Sequence, residues 1–137
     1  MLLPLCVMGR TTLYSFIGTC GEALRTTRAM LDAFPPMTLG EQREASSALR
    51  AYRILPAAGM TARPLRSVHH TISPGGLFGN GASIGEVSLC HLGAMLMREP
   101  LAFGLGIRKH LPTVLHEGRA LGVLARPVAV VLHVERP

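Results

Sequence analysis

A chain of 137 residues, 48% hydrophobic and 16% charged, is long enough to bury one core and too apolar to be a disordered segment. Its net charge of +6 comes from 13 arginines and Lys109 against eight acidic residues, and the arginines are scattered, so an anionic partner such as nucleotide or DNA is compatible with the charge without being specified by it. Cys6, Cys20 and Cys90 are odd in number and never fall in a C-x-x-C pair, which supports neither a disulfide framework nor a zinc knuckle and predicts buried free thiols.

In chain order, the opening MLLPLCVM is apolar but far short of the roughly 20 residues that span a bilayer. It lacks a basic leader and a cleavage site, which predicts a cytoplasmic protein with no membrane partner. The run Thr11–Gly18 is β-branched and aromatic and stops at glycine, predicting a buried strand. Within Gly21–Phe34, the residues Leu24, Thr27, Leu31 and Phe34 recur at helical spacing, and Pro35-Pro36 ends the segment. Thr38 and Glu41 have the spacing of a capping box. They open a predicted helix with Ala45, Leu49, Tyr52 and Leu55 on one side, closed by Pro56.

Arg63–Gly85 carries Pro64, Pro74 and five glycines and is predicted to be mostly irregular. Glu86–Met97 reads as a helical turn followed by a strand buried on both faces. Gly106–Gly118 has a helical pattern in which Pro112 predicts a kink or an early end. Arg126–Val134, with Val128, Val130, Val131 and Val134, is the clearest strand. Alternation of strands and helices predicts an α/β fold with a parallel sheet.

Two local motifs invite chemistry. Gly79-Asn80-Gly81 with Gly85 has the look of a dinucleotide-binding turn, but such a turn leaves a strand, and HHTISPGG is not one. His69 and His70, with His91 or Cys90, suggest a metal site, yet no carboxylate stands at helical spacing from them, so no metal ligand is assigned.

The order of the pieces carries more. Arg63, Pro64, Arg66, His69, His70, Thr71, Ile72 and Ser73 come first, then the glycines, then Gly85, Glu86, Ser88, Leu89, His91, Gly93 and Glu99, and then Phe103, Leu111, Leu115 and Gly118 without a gap. This arrangement resembles the magnesium-chelatase I-subunit and ComM/YifB branch of AAA+ ATPases. Fainter likeness in Leu13–Gly21, Phe34–Thr38 and Arg53–Gly59 extends the resemblance over residues 9 to 125, with Val128–Pro137 matching the next sheet strand.

The resemblance implies an α/β fold: a partial P-loop NTPase (AAA+) core with a mostly parallel sheet and flanking helices. Residues 1–137 would form a single incomplete core lacking the helical lid and the arginine finger. It implies ATP as cofactor, a homo- or hetero-oligomeric ring as partner, and DNA as a partner of the ComM-like relatives. Gly18 and Gly21 fall on the first two glycines of the phosphate loop, and Glu99 on the catalytic glutamate. Ala23 or Leu24 falls where the loop lysine belongs, with Arg25 and Thr26 nearby. Arg98 falls on the aspartate that holds Mg²⁺, and Arg136 on the sensor asparagine. A guanidinium in place of a Mg²⁺ ligand repels the ion, so no metal site and impaired or lost hydrolysis are expected. A non-enzymatic DNA-associated or ring-interaction module, or a decayed gene fragment without activity, remain the alternatives.

Overall fold

The computed structural model describes residues 1–52 and 61–135. Its elements are strand β1 (Leu2–Met8), strand β2 (Thr11–Gly18), helix α1 (Cys20–Asp32), helix α2 (Leu39–Ala51), strand β3 (Leu65–Val68), and the short helices α3 (Pro74–Phe78) and α4 (Glu86–Leu89). Strand β4 (Ala94–Arg98), helix α5 (Leu105–Glu117), the two-residue strands β5 (Arg119–Ala120) and β6 (Val123–Leu124), and strand β7 (Ala129–Glu135) follow. The main sheet has the order β1-β2-β7-β4-β3. Only β1 runs antiparallel to its neighbour; β2, β7, β4 and β3 are mutually parallel. This mostly parallel α/β sheet with flanking helices is compatible with a partial P-loop NTPase core.

Strand alternation divides the core. Phe16, Leu96 and Val131 face α1 and meet Ala23, while Ala94 and Ala129 meet Leu31. On the other face Leu13, Met95, Met97 and Val130 pack against Leu77, Val87, Phe103, Ile107, Leu111 and Leu115. β4 is buried at every residue from Ala94 to Met97, the two-sided burial its apolar run predicts.

Several expectations need correction. The apolar N-terminus, assigned no element from sequence, is an edge strand; Pro4 and the bulge between Pro4 and Cys6 are tolerated because the outer edge needs no ladder bonds. Cys6 is therefore exposed, whereas Cys90 is buried, and burial pushes its thiol well above the ordinary range. In α1 the buried stripe is Ala23, Thr27 and Leu31, and Leu24 is 36% exposed. The small Ala23 lets the helix approach the sheet, and the Thr27 hydroxyl donates to the Ala23 carbonyl at 2.7 Å. The stretch Arg63–Gly85 is mostly irregular, as expected, and is interrupted by β3 and α3; LRSV is held by parallel pairing to β4 and by Val68 in the core. α5 continues past Pro112 to Glu117, because Ile107, Leu111 and Leu115 anchor both sides of the missing amide. Leu55, Pro56, the Arg53–Gly59 match and Arg136 lie outside the described residues. Among the described residues no helix is long and apolar enough to cross a membrane.

The capping box is present in both directions: the Thr38 amide donates to Glu41 Oε1 at 2.9 Å and the Glu41 amide to Thr38 Oγ1 at 3.1 Å. Thr38→Ala is expected to lower stability by about 1 kcal/mol, read as a reduced urea midpoint at unchanged m-value.

Candidate functional site at the carboxyl edge of the sheet

Because β2, β7, β4 and β3 are parallel, their carboxyl ends share one edge, where open α/β sheets bind ligands. Register levels them: Gly18 pairs with Glu135, Arg98 with His133, and Val68 with Met97. The period of two then puts Gly18, Arg98, His133 and Glu135 on the α1 side. A cavity of about 180 Å³ is lined there by His69, His70, Arg98, Glu99, His133 and Glu135.

Glu99 directly follows β4 and lies in the left-handed region at φ 55°. For a residue other than glycine that conformation costs roughly 1–3 kcal/mol and persists only where the surroundings fix it. Here the Glu99 amide donates to the His133 carbonyl at 2.8 Å, and its Oε1 accepts the Glu135 amide at 3.0 Å. His133 is buried, and its Nε2 lies 2.8 Å from the Gly18 carbonyl. A carbonyl only accepts, so Nε2 carries a proton, and in the neutral ring Nδ1 is then an acceptor. Among the described residues, neither the buried His133 Nδ1 nor the buried His70 Nδ1 has a partner. The His69 and His70 rings lie 4.1 Å apart, with Thr71 donating its amide to His69 Nδ1.

β2 passes into α1 through Thr19 alone, whose Oγ1 accepts the Glu22 amide at 3.2 Å and whose carbonyl accepts the Ala23 amide at 3.0 Å. A Cβ on Gly18 would lie 2.8 Å from the Phe16 ring and 2.9 Å from Glu22 Oε2, so the glycine is required by close packing. Gly21 is exposed in the first turn of α1, beside Arg25 and outside the lining of the cavity.

Compared with protein-family models, residues 3–123 match the family described as magnesium chelatase, subunit ChlI. The chain belongs to that magnesium chelatase family. The match makes it an AAA+ domain of the ATP-binding type. No curated protein matches the chain.

Against that family background, the residues present do not fit a Mg²⁺–triphosphate. A phosphate loop holds its ligand with several backbone amides and a lysine between strand and helix. In this magnesium-chelatase-family chain one residue separates them, two of the first amides of α1 are already bonded to Thr19, and the Glu22 carboxylate stands beside Gly18. Ala23 is buried against the sheet and Leu24 brings no charge. Among the described residues no group of three or more His, Cys, Asp or Glu is placed to hold a metal ion.

The structure thus joins Arg98 to Glu99 and links Gly18 to the cavity through His133, while Gly21 stands apart. Sequence reasoning missed His133 and Glu135 as lining residues and gave His69 and His70 no ligand role. The available signal was His133 itself, a lone polar residue in phase with Ala129 and Val131 on a buried strand face. β7 also lies beyond the stretch that matches the magnesium chelatase family.

The glycine cluster is a self-contained loop following α3, as the missing strand before it predicts. Asn80 Oδ1 accepts from the amides of Ala82 and Ser83 and from the Ser83 hydroxyl. Arg63 and Arg66 are staples: Arg63 donates to the carbonyls of Leu92 and Pro35, and Arg66 forks onto Glu86 at 2.7 and 2.9 Å.

Proposed function

We propose that the chain is a magnesium-chelatase-type AAA+ domain, of ComM-like descent, in which ATP hydrolysis has been lost. The observation that carries this reading is the pairing of Arg98 with a one-residue link between β2 and α1. The first puts a fixed positive charge where the relatives of the motif hold Mg²⁺. The second removes the amide cradle that would hold the phosphates. Glu99 would be the residue that orients water, and Gly18 and Gly21 those nearest a phosphate; without a seated ion and cradle, Glu99 has nothing to act on.

Incubation with ATP and Mg²⁺ is expected to release phosphate at the rate of a protein-free blank. A fluorescent ATP analogue is expected to bind no better with Mg²⁺ than with a chelator. Arg98→Asp is expected to leave hydrolysis at background, because the link before α1 is unchanged. Turnover in the wild type, or Mg²⁺-dependent micromolar binding, would remove the reading.

The net charge of +6 is compatible with a second reading, a non-catalytic module associated with DNA. Its signature is DNA binding at low salt whose affinity falls steeply as salt rises.

A further inference from the structure

Four features of the carboxyl-edge cavity define what it would accept. Arg98 is half-buried, lines the cavity, and among the described residues its guanidinium has neither an ion pair nor a hydrogen bond. His133, 1% exposed, offers in its neutral ring an acceptor Nδ1 that no described protein group satisfies, and among the described residues the buried His70 Nδ1 is likewise without a partner. Orphaned buried polar atoms are destabilising unless water or a ligand meets them. Two carboxylates, Glu99 and Glu135, share the lining; Glu99 uses Oε1 on the Glu135 amide, and neither makes an ion pair among the described residues. The volume of about 180 Å³ lies below the roughly 300–1,000 Å³ of pockets that take drug-sized molecules, which favours a small ligand.

The charge inventory decides the ligand class. One guanidinium fork calls for a carboxylate or other oxyanion. Two carboxylates and His133 Nδ1 call for hydrogen-bond donors, and a simple anion would satisfy Arg98 while facing two like charges. An isolated cation would leave Arg98 unpaired and repelled. From this we propose that the cavity binds a small zwitterion of the α-amino acid class, its carboxylate on Arg98 and its ammonium among Glu99, Glu135 and His133 Nδ1. The site is independent of nucleotide turnover, and neither ATP nor Mg²⁺ enters its test.

The experiment is a titration of the full chain with glycine and with alanine, followed by the imidazole signals of His70 and His133 in NMR spectra, in the presence of a chelator. Saturable shifts with a dissociation constant of about 1 mM are expected. Trimethylglycine, which keeps the carboxylate and has no N–H, is expected to bind at least about tenfold more weakly, as is inorganic phosphate. Arg98→Gln is expected to weaken glycine binding by about tenfold or more, and the charge-matched change Arg43→Gln, at an exposed position of α2, to leave it unchanged. If Arg98→Gln fails to fold, Glu135→Gln provides the second variant, since the Glu135 carboxylate makes no ion pair among the described residues; its expected effect is a weaker glycine affinity at unchanged melting temperature. Absence of saturable shifts, tighter binding of phosphate or trimethylglycine than of glycine, or equal weakening by Arg43→Gln would each overturn the proposal.

Discussion

Replacing Gly93 with alanine is expected to lower the stability of the fold by about 3 kcal/mol or more. The residue enters β4 at the point where three segments are gauged against one another. Its amide donates to the Cys90 carbonyl at 2.7 Å, and its carbonyl accepts the Val128 amide at 2.8 Å. The next amide, of Ala94, donates to the Pro64 carbonyl at 2.9 Å. A Cβ on Gly93 would collide with that same Pro64 oxygen and lie 2.7 Å from Pro64 Cγ and Cδ. Backbone and a proline ring cannot rotate aside, and Pro64 cannot retreat because β3 is paired to β4 and Arg63 is tied to the Leu92 carbonyl. Relief therefore means parting β3 from β4.

Gly85→Ala is expected to behave similarly, its Cβ meeting the Leu77 carbonyl, the Gly79 amide and the Phe78 carbonyl carbon. Gly106→Ala is the control: it faces open space within α5, and alanine there should stabilise by roughly 0.5–1 kcal/mol. Urea unfolding followed by circular dichroism ranks all three. A Gly93→Ala midpoint close to the wild type would show that β3 and β4 do not meet as described.

What was legible in the sequence depended on whether local pattern and tertiary context agreed. β2 and β7 announce themselves because their β-branched runs are buried as strands along most of their length. The reciprocal bonds of Thr38 and Glu41 lie within one turn, so spacing alone reveals them. β1 and β3 did not announce themselves: one is continuously apolar with a proline, the other nearly polar, and each is a strand only because a neighbour lends it a ladder. Leu24 misled because helical spacing defines a stripe but not its phase, and Ala23 owns the buried position.

The candidate site shows the same division. Arg98 and Glu99 were legible through the resemblance of their stretch to the family pattern. His133 became part of the site only through the register that sets it beside Arg98, and register is a property of two strands. The motif residues Arg63, Arg66, Gly85 and Gly93 read as a family signature; in the fold they are staples and close approaches, so that stretch specifies how β3, α4 and β4 lock together.

Acidification is expected to destabilise the fold by at most about 2 kcal/mol between pH 7.5 and pH 5, through a network joining α2 to the loops around β4 and β7. His91 is buried, with Nε2 at 2.8 Å from Glu44 Oε1 and Nδ1 at 2.9 Å from the Arg126 amide. The Arg126 guanidinium reaches the same Glu44 oxygen at 2.5 Å. An amide can only donate, so Nδ1 accepts and Nε2 holds the proton: one neutral tautomer satisfies both ring nitrogens. A second proton would expel the Arg126 amide.

Burial is the main cause that holds the His91 imidazole below its ordinary value of 6.5; Glu44 pulls it back up, and the charges of Arg126 and Arg119 push it further down. For Glu44 burial acts upward, but the bonds and charges of His91 and Arg126 outweigh it and leave the carboxyl below 4.5. Both depressions have the same sign. Between its folded value and 6.5 the unfolded chain binds more protons at His91 than the folded one, so stability is complete above 6.5 and declines as pH falls through that window. Glu44 adds a loss only below 4.5, and a third of its side chain is exposed, so solvent screening makes its share the smaller.

His91→Gln, which cannot titrate, should be less stable than the wild type at pH 7.5 and should lose little further stability down to pH 5. Urea midpoints at four or five pH values separate the outcomes: parallel decline of the two proteins would assign the acid sensitivity elsewhere. Convergence at low pH identifies the neutral imidazole as the group that ties α2 to the sheet.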